Sequence, residues 1–198
     1  MGLPQAKLPA LPDRESDLTV SRYTRTAVAL HWTMAGLILA GLFMGWTMTE
    51  MDVSPQRLKV YNWHKWVGVT VLLLAVLRLL WRLTHRAPPL EPSMPAWQRA
   101  GAHISHGLLY LLLFVMPVTG WIYSNYTGYP VVYLGKVPLP NLVERDRELA
   151  ATWLDVHVTL SVILAVVVSV HALAALYHHF ISRDATLRRM LAWRAIGK

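Results

Sequence analysis

Four long stretches of the chain are apolar on every helical face rather than along one stripe, and short segments rich in charge or proline separate them. The first, Thr26–Thr49, carries no formal charge over 24 residues. About 20 apolar residues suffice for a helix to cross the hydrocarbon core of a bilayer. The second, Tyr61–Leu80, holds Lys65 near one end and Arg78 near the other, where long basic side chains reach the interface. The third is uncharged from Ala100 to Gly135, with a helical part at His103–Tyr123 ahead of the turn-rich SNYTGYP. The fourth is uncharged from Val156 to Ser182. Lipid leaves a spanning backbone only its own hydrogen bonds. The pattern therefore predicts an all-α, integral membrane four-helix bundle with spans at 27–49, 61–81, 103–123 and 154–180.

The connecting segments complete the organisation. Residues 1–21 read as a polar, proline-bearing leader outside the bundle, with no apolar core or cleavage pattern of a signal peptide. Residues 22–190 form the membrane domain and 191–198 a tail. Pro88, Pro89, Pro92 and Pro95 make the link between spans two and three a stiff, non-helical strap. The connection of 124–152 is the longest, and its glycines and prolines suit a loop lying across the opposite mouth of the bundle. Pro117 is expected to kink span three.

Composition agrees: 55% of residues are hydrophobic and 15% charged, where a soluble domain has about a quarter charged. A net charge of +8 invites a nucleic-acid reading. Its distribution does not, since thirteen basic residues fall on the side holding both termini and six on the other. For a chain in a bacterial inner membrane, that asymmetry places both termini in the cytoplasm. Trp32, Trp46, Trp63, Trp66, Trp81, Trp121 and Trp153 fall near span ends, as an interfacial belt requires. The absence of cysteine excludes disulfides, thiolate-ligated clusters, covalent c-type haem and a cysteine nucleophile.

Most of the nine histidines fall within or beside the spans, where an ionisable group is costly and marks function. His157 and His171 lie fourteen residues apart on span four. That spacing is about 21 Å along a helix axis with only about 40° of drift, so both rings share one stripe, one toward each membrane surface. On the outer side His64 is the one partner for His157. On the inner side the choices for His171 are His31, His103, His106, His178 and His179, with His31 at the matching depth. Two neutral imidazoles make a six-coordinate haem suited to electron transfer. Zinc transport calls for carboxylates or thiolates, and the chain has no cysteine and hardly any acid within the spans. Gly36, Gly41, Gly45, Gly68 and Gly107 suit close helix approach or a porphyrin face.

The chain resembles the bacterial cytochrome b561 family of four-helix di-haem membrane cytochromes over roughly Arg22–Met190. The stretches that carry the resemblance are RYTRTAVALHW, WHKWVG, RLLWR, HISHGLLYLLLFVMPVTGW, GYPVVYLGKVPLP, His157 and HALAALYHHFISRDATLRRM. The resemblance implies two non-covalent haem b groups ligated by His31, His64, His157 and His171, and exchange of electrons with the quinone pool. Two activities follow from it as expectations: a superoxide:quinone oxidoreductase drawing electrons from superoxide at the outer face into ubiquinone, or a haem b subunit docked on a dehydrogenase or hydrogenase. Arg22, Arg25, Lys65 and Arg78 are expected propionate neighbours. Ser105, His106, Arg22 and His178 are expected near a quinone on the inner side. Lys65 with Arg57, Lys59 and Lys136 gives the outer mouth a positive field that steers a small anion.

Overall fold

The structure is a computed structural model that describes residues 22–91 and 94–191. The leader 1–21, Pro92 and the tail beyond Leu191 lie outside the described residues. Four helices, α1 (Arg25–Glu50), α2 (Pro55–Thr84), α3 (Ala96–Tyr126) and α4 (Arg147–Tyr177), are long and apolar enough to cross a membrane. Each starts before its predicted span; polar caps rather than hydropathy set the start of α1, α2 and α4, whereas α3 begins after Pro95 with no side-chain cap. The Thr24 hydroxyl accepts from the Ala27 amide, the Ser54 hydroxyl from Arg57 with Pro55 in the first turn, and the Asp146 carboxylate from Glu148 and Leu149. Pro117 lies inside α3, and the helix continues through it.

Packing runs α1 on α2, α2 on α3 and α3 on α4, with no comparable seam between α1 and α4. A short apolar core of Met34, Val71, Ala75 and Leu113 fills the waist, backed by Leu37, Ile38, Val67, Leu74 and Phe114. Along α1 and α4 large apolar side chains such as Leu39, Phe43, Val166 and Val170 remain exposed, as surfaces that meet lipid do.

Both ends are tied. At the end of the bundle away from the start of α1 and the end of α4, the outer end in the charge-based reading, the α3–α4 connection forms a hairpin, β1 (Val132–Tyr133) antiparallel to β2 (Val137–Pro138). Its turn puts Leu134 and Gly135 at positive φ, 53° and 69°, the backbone that a tight primed turn requires. The hairpin is pinned to α2 by three contacts. Trp66 Nε1 donates to the Val132 carbonyl at 2.8 Å, Lys65 Nζ to Tyr129 at 3.1 Å, and the Thr70 and Tyr133 hydroxyls meet at 3.0 Å. At the inner end, α4 passes into a π-helical turn, His178–Ser182, and then α5 (Arg188–Leu191). The returning chain is held by Trp32 Nε1 to the Met190 carbonyl and by Arg189, which binds the Pro89 carbonyl and Glu91.

Candidate functional site

Every spanning helix carries a pair of residues fourteen positions apart that face the bundle interior: His31 and Gly45, His64 and Arg78, His106 and Gly120, His157 and His171. Helix antiparallelism sorts them into two layers about 21 Å apart. The outer layer holds His64, His157, Gly45 and Gly120. The inner layer holds His31, His106, His171 and Arg78.

In the outer layer the His64 and His157 rings stand 6.1 Å apart between centroids, 86° between planes. The two glycines give these rings their room. A Cβ on Gly120 would stand 2.8 Å from His157 Cε1, and one on Gly45 would stand 3.3 Å from His64 Cε1. Both rings are held through Nδ1. His64 Nδ1 donates to the Gly41 carbonyl at 3.0 Å. Thr119 spends its own proton on the Met116 carbonyl at 2.8 Å, so its oxygen accepts from His157 Nδ1 at 3.0 Å. Each Nε2 is thereby left with a free lone pair, the form in which an imidazole binds a metal. Thr119 carries no histidine-like signal in the sequence; only the packing of α3 on α4 reveals its role.

In the inner layer His31 and His171 stand 6.2 Å apart at 67°. His106 lies against the same His171 ring at 5.3 Å. Three imidazoles thus converge where the sequence offered a list of partners. Arg78 is held by the Tyr110 hydroxyl, 3.4 Å from its Nε. Lys65 is held by the Tyr129 carbonyl of the α3–α4 loop, and Arg22 and Arg25 are exposed at the start of α1. The Ser105 hydroxyl is buried without a protein partner among the described residues. His178, at the π-helical turn, has its Nδ1 2.5 Å from Asp184, which also accepts from the Thr186 amide. Asp184 is a residue that sequence reasoning passed over. Burial pushes its carboxyl up, but the hydrogen bonds from Thr186 and His178 outweigh that and hold it below the usual carboxylate value. His85 stacks flat on Trp81 at 3.8 Å, an interfacial packing role.

The match to known proteins covers this whole framework. The family model described as prokaryotic cytochrome b561 aligns with residues 22–193. The chain belongs to the prokaryotic cytochrome b561 family. Its relatives include cytochrome b561 homolog 2 of Escherichia coli, 32% identical over 87% of this chain and 93% of that protein. Cytochrome b561 homolog 1 of the same organism is 30% identical over 88% and 99%. A probable superoxide oxidase CybB of Yersinia pestis is 28% identical over 86% and 96%. This cytochrome is therefore a multi-pass bacterial membrane protein of electron transport, and its family implies haem b.

The histidine pairs fit that group. Two imidazole nitrogens that each bound one metal ion at about 2 Å would hold their ring centroids about 6.2 Å apart. The observed 6.1 and 6.2 Å match this span, whereas the 5.3 Å of the His106–His171 pair is too short for it. Thr119 and the Gly41 carbonyl would orient His157 and His64 if these rings held a metal. Among the described residues no cluster of three or more His, Asp or Glu suited to a bare metal ion occurs.

Proposed function

We propose that this cytochrome carries electrons across the bilayer through two haem b groups, one held by His64 and His157 and the other by His31 and His171. It takes electrons from superoxide at the outer, periplasmic face and delivers them to ubiquinone at the inner, cytoplasmic face. The observation that carries the reading is the pair of two-imidazole gaps, 6.1 and 6.2 Å, in layers set by the fourteen-residue repeat. The thirteen-to-six distribution of basic residues supports the orientation.

Bound haem iron accepts and releases single electrons, and the protein sets its potential and dryness. The side chains do the rest. Gly41 and Thr119 keep the outer ligand rings in one tautomer. Met34, Val71, Ala75 and Leu113 exclude water between the layers. Two superoxide ions leave as dioxygen, giving one electron each; ubiquinone takes those two electrons and two protons to become ubiquinol. Proton supply falls to the inner groups. Asp184 holds His178 Nδ1, which leaves Nε2 to pass a proton to a quinone oxygen. The unpartnered Ser105 hydroxyl, with His106, offers a hydrogen bond to the same head group or to a propionate. Arg22, Arg25 and Arg78 are the inner cations suited to propionates, and Lys65 the outer one. Exposed Lys59 and Lys136 with Arg57 lend the outer mouth its attraction for an anion.

Haem quantitation of the purified protein, followed by stopped-flow mixing with superoxide and then ubiquinone, tests the reading. Two haems per chain, reduced rapidly by superoxide and reoxidised only with quinone, are expected. A colourless protein made with ample haem supply refutes the redox site. Two haems inert to superoxide move the chain to the docked-subunit role.

A further inference from the structure

The hairpin of β1 and β2 is fastened well down the side of α2. That helix begins at Pro55, so the Trp66 and Thr70 anchors lie eleven and fifteen residues into it. At about 1.5 Å per residue they are roughly 16 and 22 Å beyond its start, inside the apolar span rather than at its mouth. They also point away from the histidines. At about 100° per residue they stand roughly 200° and 240° round the helix from His64. Leu73 and Leu77 continue that same face toward the membrane centre, 52% and 54% exposed. The hairpin therefore covers one end of a face whose other end meets lipid.

Its own residues match that position. Val132, Leu134 and Val137 are exposed, and Pro138 is exposed beside them. The turn is closed by the Lys136 amide, which donates to the Tyr133 carbonyl at 3.1 Å, with Leu134 and Gly135 both at positive φ. Turns of this kind favour Asn-Gly or Gly-Gly, and a bulky side chain at their first central position is strained. In water the leucine would be strained and wet; in hydrocarbon its burial offsets the strain. The backbone suits lipid as well. The Val131, Val132 and Tyr133 carbonyls accept from Leu139, from Gly135 with Trp66, and from Lys136. The Thr70 hydroxyl donates to the Trp66 carbonyl, so its oxygen accepts from the Tyr133 hydroxyl. Irregular backbone survives beside lipid only with its polar groups met in this way, whereas a two-stranded hairpin standing in water is marginal. We propose that the hairpin is a membrane-inserted wedge. Val132, Leu134 and Val137 contact the acyl chains of the leaflet beside α2, and Lys136 reaches back along its stem to the head groups.

The chain has no cysteine, so a single introduced thiol carries a spin label without background. The full-length protein in phosphatidylcholine nanodiscs is labelled through Leu134→Cys or Val137→Cys. Leu73→Cys serves as the lipid-facing reference, and Val53→Cys, 89% exposed between α1 and α2, as the aqueous one. Power saturation compares collisions with oxygen, which concentrates in hydrocarbon, against collisions with a water-soluble nickel chelate. Labels at both hairpin positions are expected to favour oxygen over nickel, as Leu73→Cys does and Val53→Cys does not. Nickel access equal to that of Val53→Cys puts the hairpin in water and overturns the proposal. Poor access to both reagents, relieved when each disc holds one copy, gives the patch to a second copy of this chain and overturns it too. Unchanged helical circular dichroism verifies that each labelled protein is folded, and the use of two positions separates the result from any local effect of the label at the strained turn.

Discussion

Gly120→Ala puts the outer site to a sharp test. The added Cβ would stand 2.8 Å from His157 Cε1, 3.3 Å from Nδ1 and 3.5 Å from Nε2. Carbon–carbon contacts settle at about 3.5–4.0 Å, so the ring must retreat by roughly 0.7 Å. Retreat from α3 also stretches the 3.0 Å hydrogen bond to Thr119, which sits on that same helix. A free ring can move; a ring fixed by an iron cannot, so the cost falls on the loaded protein. Overpacking of this kind costs about 1–3 kcal/mol and the hydrogen bond about 1 kcal/mol more. Against this, alanine gains up to about 1 kcal/mol of helix propensity over glycine. The balance weakens outer haem retention roughly ten- to hundredfold. Controls are built into the bundle. Gly45→Ala meets His64 at 3.3 Å and asks for a shift of a few tenths of an ångström, whereas a Cβ on Gly36 or Gly68 meets nothing within 4 Å. The assay is haem stoichiometry by haemochrome spectrum together with a redox titration that resolves the two centres. The reasoning fails if Gly120→Ala keeps both haems at unchanged potentials, or if Gly68→Ala shows the same loss.

Other consequences follow from the two layers. His64→Ala and His157→Ala each lose one and the same haem and leave the other, read by redox titration; loss of different haems breaks the pairing. His31→Ala and His171→Ala remove the inner haem, while His106→Ala keeps it, because the 5.3 Å gap to His171 is too short to take an iron; an inner haem lost with His106 reverses that assignment. Thr119→Val frees the His157 ring from an anchor worth about 1 kcal/mol, and a shifted outer potential with the inner one constant is expected. Asp184 titrates below its ordinary 3.8, so the bond it gives His178 is fully present above that value and lost as pH falls through the lower folded one. Asp184→Asn slows quinone reoxidation at neutral pH with little change in superoxide-driven reduction; an equal slowing of both steps removes His178 from proton delivery.

Much of the framework is legible in the chain itself. Uncharged runs of this length leave few alternatives to spanning helices, and the fourteen-residue separation of His157 and His171 fixes one ring toward each surface whatever else the helix touches. The same interval also separates His64 from Arg78 and His106 from Gly120, yet nothing local marks those positions as partners. A glycine signals missing volume without saying which side chain fills it, and Gly120 was not singled out by the pattern at all. Thr119 and Asp184 are equally silent, since their roles arise from contacts across helices or across a π-helical turn that hydropathy does not encode.

By itself the sequence determined the helix count, the position of each histidine along its helix and the charge asymmetry between the two ends, because hydrophobic length and helical period are properties of consecutive residues. Position along the helices already pointed to His64 beside His157 and His31 beside His171, as the structure has them; the tertiary structure alone decided that a third imidazole joins the inner layer and where the glycines open space beside the rings. Those outcomes depend on helix order and on register between segments far apart in the chain, and register is settled by side-chain packing at the waist of the bundle rather than by any one segment.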